Sequence, residues 1–461
     1  MAQVDACVVR KELTYEEKWQ RFELGERKYG QQYSQVYFNR LNMMREQLKK
    51  AALQRWSSLQ EDSIMERMVQ AKDGAESVVV GILFKEMKLK PSILQEYAKH
   101  GAAMMPNPPR RAEKLYADES DALILEDETG RIQLEFHEER EILKDLREEF
   151  LVSGLIVAVK GTKTKKGLFS VAGVCPVSVL PQPTTSISED DAYVCIVSGL
   201  GFGDETMNPL YADLLLETLK GAALADATEN FKLAHVIVAG NSVCRAKDGS
   251  DKGEYLKSHK AIDRKAQDEA AFPMRELDRF LCGVASAIPM ELMPGENDPV
   301  NYLLPQQAFH PCLIPDSTKF TSVHRSTNPS EFSLGGQTFL GTSGQNVDDY
   351  MSYLPPVNKP AEESAQRLDV LESMLRFGHI APTAPDTLAS YPFSSTDPFV
   401  MKEWPNLFFA ANQPSFSTTV VSEGTSSVRI ITVPSFSRTR EVVFVNIRTL
   451  EPHVLSIEIS L

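Results

Sequence analysis

From Tyr33 the apolar positions Tyr37, Leu41, Met44 and Leu48 recur at spacings of three and four, so they line one face of a helix running through EQLKKAALQRW. This pattern reads as an amphipathic helix packed on its own domain, a partner-binding arm being the lesser alternative, and it makes residues 1–70 an N-terminal helical segment. From about Glu76 the texture changes. SVVVGILFKEM alternates into a glycine, DALILEDETGRIQLEF turns between two β-rich runs, and GLIVAVKGTKTKKGLFSVAGVCPVSVL adds two strands around a lysine-rich turn. Five short strands over residues 71–182, with Gly81 near the middle of the first and a long insertion (KPSILQEYAKHGAAMMPNPPRRAEKLY) after it, suit an OB-type barrel. Another small β-barrel or sandwich is the other architecture the pattern allows.

PQPTTSISEDD has two prolines, then Ser, Thr and acidic residues without periodicity, and marks a boundary. Beyond it strand runs (AYVCIVSGLGFG, AHVIVAGNS, PMELMPGENDP) alternate with helical runs (NPLYADLLLETLKGAAL, RKAQDEAAFPMRELDRFLCGVAS). Strand, helix, strand, helix, strand implies parallel pairing through right-handed crossovers, which makes residues 183–461 an α/β domain and the whole chain an α+β multidomain protein.

Composition adds exclusions. With 461 residues, 42% hydrophobic and 24% charged, the chain has a globular composition long enough for two or three domains. A formal charge of -14 argues against a protein whose main task is gripping phosphate over a long surface. The six cysteines never form a C-x-x-C pair, so neither a disulfide framework nor a zinc ribbon is expected, and a reducing compartment fits. The first residues lack the apolar core of a signal peptide and no window is long and apolar enough to be a transmembrane helix, which points to cytosol or nucleus and to no membrane partner.

In an α/β sheet chemistry lies at the carboxyl ends of strands. A binuclear phosphoesterase needs hard or imidazole ligands there to hold two cations about 3.5–4 Å apart. In this chain the first strand ends in SGL, placing Ser198 and Leu200 where Asp and His would stand. The second ends in GNSVC, with Asn241 and Cys244 at two aspartate positions. The third reads GEND, putting Glu296, Asn297 and Asp298 at the Asn, His and acid positions, and FFAANQPSF places Ala411, Asn412 and Pro414 where Gly, His and His are needed. Leucine and proline cannot ligate a metal, and neutral serine and asparagine leave cation charge uncompensated, so no metal and no other cofactor is expected. Gly199, Gly240 and Gly295 remain at the turns, where conformational freedom is their simplest role.

The runs LGERKYGQQYSQVYFNRL (24–41), VVVGILFKEMKLKPSILQE (78–96), LMPGENDPVNYLLPQQAFHPCLIP (292–315), FLGTSGQNVDDY (339–350) and HIAPTAPDTLASYPFSSTDPF (379–399) closely resemble the second, B-type subunit of eukaryotic DNA polymerase delta, over nearly the whole chain. The resemblance implies an OB fold joined to an inactivated calcineurin-like phosphoesterase domain. It also implies a non-catalytic nuclear scaffold between the cysteine-rich C-terminal domain of the catalytic subunit and the elongated, clamp-contacting third subunit, with the catalytic subunit of polymerase zeta as a further partner and DNA touched only weakly or indirectly.

Other residues carry blander readings. His310 and His379, beside Pro and apolar neighbours, read as core histidines bonded to backbone; Asp386 and Asp397, in Pro-rich turns, read as caps of local N–H groups. Lys160, Lys163, Lys165 and Lys166 form a dense basic cluster expected as a solvated hairpin tip, with transient contact to DNA phosphates as the alternative. The barrel strands lack the interleaved aromatics of a single-strand binding platform, which disfavours an independent nucleic-acid binder. LGTSGQN lacks a P-loop lysine and reads as a turn near the vacant pocket. The competing enzyme reading is a divergent metal-dependent phosphodiesterase using Glu296, Asp298, His310 and His379.

Overall fold

The computed structural model describes residues 10–26, 30–57, 61–90, 115–136, 148–177, 179–183, 191–221, 232–244 and 264–458. Most of the insertion after the first barrel strand and of the Ser/Thr-rich boundary lies outside these residues. By packing, the chain forms two compact units that interleave in sequence: Arg27–Pro181 with Gln345–Trp404, and Met1–Glu26 with Gln182–Gly344 and Pro405–Leu461. Packing thus groups residues 345–404, expected inside the α/β domain, with the barrel. It also groups residues 10–26 with the α/β unit. Within the first 70 residues a short strand, β1 (Tyr15–Glu17), precedes the helix α1 (Ser34–Arg55), so the N-terminal segment is not uniformly helical.

In the barrel unit, α1 buries Leu41, Met44, Leu48, Ala51 and Ala52. The sheet that follows comprises β2 (Ile64–Met65), β3 (Glu76–Glu86), β4 (Ala122–Asp127), β5 (Gly130–Glu135), β6 (Ile156–Lys163) and β7 (Leu168–Cys175) in the order β2-β3-β4-β5-β7-β6. It closes because β3 serves two partners, pairing β6 through residues 76–82 and β4 through 82–86. The strand must bend at the changeover, and Gly81 stands there. A Cβ at Gly81 would lie 2.8 Å from both the Glu126 carbonyl oxygen and Leu125 Cγ, so any side chain would wedge the closure open. β5 and β7 pair in parallel, completing a five-stranded OB-type barrel with β2 outside it.

The α/β unit begins with β8 (Tyr193–Val197), α2 (Leu210–Lys220), β9 (Leu233–Ala239), α3 (Arg264–Ala285), β10 (Met290–Met293) and β11 (Val323–Arg325). β8, β9 and β10 pair in parallel, as the alternating pattern requires, and β11 adds to β10 in parallel beyond that pattern. A second sheet starts with β12 (Ser330–Leu334) and β13 (Gln337–Thr342). The chain then enters the barrel unit, where α4 (Gln345–Met351) and α5 (Pro360–Arg376) lie, the latter with Glu362 and Glu363 in its first turn and Arg376 in its last, each opposing the helix dipole. It returns through β14 (Leu407–Gln413), β15 (Ser417–Glu423), β16 (Ser426–Pro434), the short α6 (Phe436–Thr439), β17 (Glu441–Asn446) and β18 (Pro452–Ser456). The two sheets of this unit run β11-β10-β9-β8-β17-β18 and β1-β12-β13-β14-β16-β15. One core packs Leu215, Leu219, Leu277 and Leu281 of the helices on Val236, Val238 and Leu292. The other packs Ile196, Ile237 and Met293 on Phe332, Phe339, Phe409 and Ile431 of the second sheet. With both faces of β8, β9 and β10 covered, these strands read as unbroken apolar runs in which His235 and Glu291 are the buried exceptions.

Candidate functional site at the strand ends

The carboxyl ends of β8, β9, β10, β13 and β14 meet in a cluster of polar groups in which neutral amides and hydroxyls accompany one buried carboxyl, Asp298. Its centre is Asn412. That residue adopts a left-handed φ of 58°, which asparagine tolerates better than most residues, and its Nδ2 donates to the Ala239 carbonyl (3.1 Å), the Ser343 carbonyl (3.0 Å) and Ser343 Oγ (3.0 Å). Its backbone N–H donates to Ser198 Oγ (3.0 Å), and that hydroxyl donates to the Pro434 carbonyl (3.0 Å). Asn241, also left-handed at φ 52°, accepts at Oδ1 from the Asn297 N–H (3.0 Å). These side chains therefore knit strand ends to one another.

Asp298, the buried carboxylate of the group, spends its oxygens on backbone: Oδ1 accepts from Val243 N–H (3.0 Å) and Oδ2 from Gly295 N–H (2.7 Å). Burial pushes this carboxyl up to about 7, opposed by the N–H groups of Val243, Gly295, Ser242 and Asn241. Leu200 is fully buried in the core between helices and sheet, Cys244 and Glu296 are half-buried, and Asn297 is exposed. The glycines divide by role. Gly240, at φ 80°, needs its conformation, and a Cβ there would sit 2.1 Å from Ser343 Oγ. Gly295 needs space instead, since its φ is ordinary and a Cβ would fall 2.3 Å from Asn241 N. Among the described residues no group of three or more His, Cys, Asp and Glu converges as a metal site. Ser343, which the sequence shows only as part of a turn, belongs to the cluster because it accepts from the central asparagine.

Several residues singled out from the sequence lie elsewhere. His310 is exposed rather than in the core, and its Nδ1 accepts from Cys312 N–H (3.2 Å), because Pro311 starts a single turn there. His379 is buried in the barrel unit; Ala381 N–H donates to its Nδ1 (3.2 Å) and its Nε2 faces Asp397 Oδ2 (3.0 Å), an acidic partner 18 residues away. Asp397 caps Phe399 N–H (2.9 Å) and also holds Arg40. Asp386 binds side chains, Lys90 and Tyr353, rather than local backbone. In the lysine cluster, Lys160 and Lys163 stand on β6 and not in the turn, ion-paired with Glu76 and Asp73 (3.3 Å each), while Lys165 and Lys166 are exposed at the tip.

The chain thus joins a closed OB-type barrel to a two-sheet α/β unit, and comparison with known proteins shows the class to which that combination belongs here. The family of the B subunit of DNA polymerases alpha and epsilon matches residues 194–418, and the DNA polymerase delta subunit OB-fold domain matches residues 32–174. The chain is 37% identical over 454 residues to the DNA polymerase delta small subunit of Arabidopsis thaliana, covering 97% of this chain and 96% of that protein. It is 30% identical over 474 residues to the small subunit of Saccharomyces cerevisiae (94% and 91% covered) and 30% identical over 459 residues to DNA polymerase delta subunit 2 of Drosophila melanogaster (98% and 99% covered). The chain belongs to the DNA polymerase delta small subunit family.

Proposed function

We propose that this chain is the non-catalytic accessory subunit of a nuclear DNA polymerase delta complex, linking the cysteine-rich C-terminal domain of the catalytic subunit to the third, clamp-contacting subunit. Full-length similarity to polymerase delta small subunits supports membership of that complex. The α/β unit is an inactivated calcineurin-like phosphoesterase scaffold in this reading, supported by its two mixed sheets packed on each other, the first of them covered by α2 and α3. The observation that carries the non-catalytic part is Asn412: its amide is spent on Ala239 and Ser343 at the point where a two-metal enzyme gathers charged ligands. The phosphodiesterase reading fares worse. Asp298 is saturated by backbone N–H groups, and His310 and His379 each accept from backbone at Nδ1. Such commitments leave little for a cation.

Affinity capture of the full chain from nuclear extract with mass spectrometry tests the assignment. Stoichiometric recovery of the catalytic and third subunits is the expected result, and capture without either overturns it. Elemental analysis that finds two transition metals per chain, with manganese-dependent phosphodiester hydrolysis lost in Asp298→Asn, would restore the enzyme reading.

A further inference from the structure

We propose that residues 10–18 form a protonation-gated strap, docked on the α/β unit while the buried Glu291 carboxyl carries a proton and loosened when it ionises. The strap is built lightly. β1 has three residues, paired antiparallel to β12 with Tyr15 opposite Leu334, and flanking bonds run from Gly335 N–H to the Thr14 carbonyl (2.9 Å) and from Lys18 N–H to the Glu331 carbonyl (2.9 Å). At its start Arg10 donates to the carbonyls of Leu233 (2.9 Å), Leu219 (3.2 Å) and Lys220 (3.0 Å), the last two at the end of α2. Beyond it the chain is anchored separately, since Phe22 is fully buried and Gln307 bonds both the Phe22 carbonyl (3.1 Å) and Leu24 N–H (3.0 Å). The strap can lift while that anchor holds.

What the strap covers is unusual for a core. Tyr15 donates its hydroxyl to Glu291 Oε2 at 2.5 Å, and its ring stacks on His324 (centroids 3.9 Å) and His235 (5.8 Å). The polar groups around Glu291 come from several elements: Tyr15 and Glu17 from β1, His235 from β9, His324 from β11, Ser326 from the loop after it and Ser330 Oγ from β12 (3.2 Å). Among these groups no cation answers the carboxylate. Burial holds His235 down to about 3, helped by His324, and burial also lowers His324 although Glu17 opposes it, so both rings are neutral near pH 7. Burial raises Glu291 to about 7, against the hydrogen bonds from Ser326, Tyr15 and Ser330. Lifting the strap returns the carboxyl to water and to its ordinary range. The docked form therefore holds the proton more tightly, and its advantage shrinks as pH rises toward the docked value.

Hydrogen exchange of the full chain at pH 6, 7 and 8, corrected for intrinsic rates, reads this directly. Opening at residues 15–18 is expected to rise about tenfold from pH 6 to pH 8 while β9 amides stay constant. Glu291→Gln keeps an acceptor for Tyr15 without the titration, and its opening should be flat with pH. Tyr15→Phe keeps the ring stack but removes the bond that favours the ionised form, so the midpoint should move upward. Wild-type exchange independent of pH overturns the strap, as does an equal slope in Glu291→Gln. Should Glu291→Gln fail to fold, an unchanged midpoint in Tyr15→Phe overturns it equally.

Discussion

Replacing Arg40 with methionine should unfold the barrel unit far more readily than any surface change. The Arg40 guanidinium donates from Nε to Asp397 Oδ2 (2.7 Å), from Nη1 to the carbonyls of Gly154 and Pro382 (2.8 Å each) and from Nη2 to the Ala384 carbonyl (2.7 Å). Arg40, Asp397 and His379 are all within 1% of complete burial. Methionine keeps most of the stem, so the loss is electrostatic. Removing one member of a buried ion pair costs about 3–5 kcal/mol, and carbonyls left unpaired cost about 1–3 kcal/mol each. These losses share one site and overlap, so about 5 kcal/mol is expected, a third or more of a typical domain stability of about 5–15 kcal/mol. His379 cannot replace the guanidinium, because Ala381 N–H donates to its Nδ1 and its Nε2 alone faces Asp397. The chain has three tryptophans, and Trp56 and Trp404 both lie in this unit, so urea unfolding followed by emission in a Trp19→Phe background isolates it. Arg40→Met, Asp397→Asn and the double variant form a cycle whose coupling should reach about 2 kcal/mol. Acid adds a second reading. Burial alone would raise the Asp397 carboxyl, but Arg40 and His379 hold it below its ordinary range, so its contribution is present above about pH 4 and lost as pH falls through the folded value. A single-variant cost under about 1 kcal/mol, or additive singles, would refute the reasoning.

Gly81→Val should destabilise the barrel by roughly 1–3 kcal/mol, measured by the same unfolding, because its Cβ meets the Glu126 carbonyl and Leu125 at 2.8 Å. Asn412→Ala should cost about 1–3 kcal/mol in the α/β unit through its unpaired acceptors while leaving metal content by elemental analysis unchanged. Deleting residues 345–404 should leave the barrel insoluble or dye-binding, since Tyr350 donates to the Phe150 carbonyl (2.5 Å) and the Tyr353 carbonyl accepts from Lys85 Nζ (2.7 Å). Lys165→Glu with Lys166→Glu, both exposed, should leave subunit capture intact and lower the salt slope of any DNA binding by the assembled complex by about one per lysine that touches phosphate.

Local periodicity carried the elements well. α1, the barrel strands and the parallel run from β8 to β10 follow from the local side-chain pattern, whereas the short β11 does not stand out in it. Gly81 was also visible, because a glycine inside a strand signals a bend or close approach. The strand-end residues could be located by motif position, and their neutral chemistry alone was informative. Their contacts were not legible: nothing in GTSGQN says that Ser343 will accept from Asn412, 69 residues on.

The grouping of segments was hidden for the same reason. Residues 345–404 follow β13 without a break in composition, so any linear division keeps them with the α/β domain. What assigns them to the barrel is long-range pairing of side chains whose local settings look ordinary. Arg40 sits at helical spacing among apolar residues, Asp397 sits before a proline, and the two are 357 residues apart. A buried arginine on the core face of an amphipathic helix is the one local hint, since a charge there is costly without a partner. The partner had to be acidic and deeply buried, but periodicity does not say which acid among the 63 Asp and Glu residues it is. Tyr15 and Glu291 repeat the case at 276 residues apart. In both places the polar residue that breaks an apolar pattern marks where a distant segment docks.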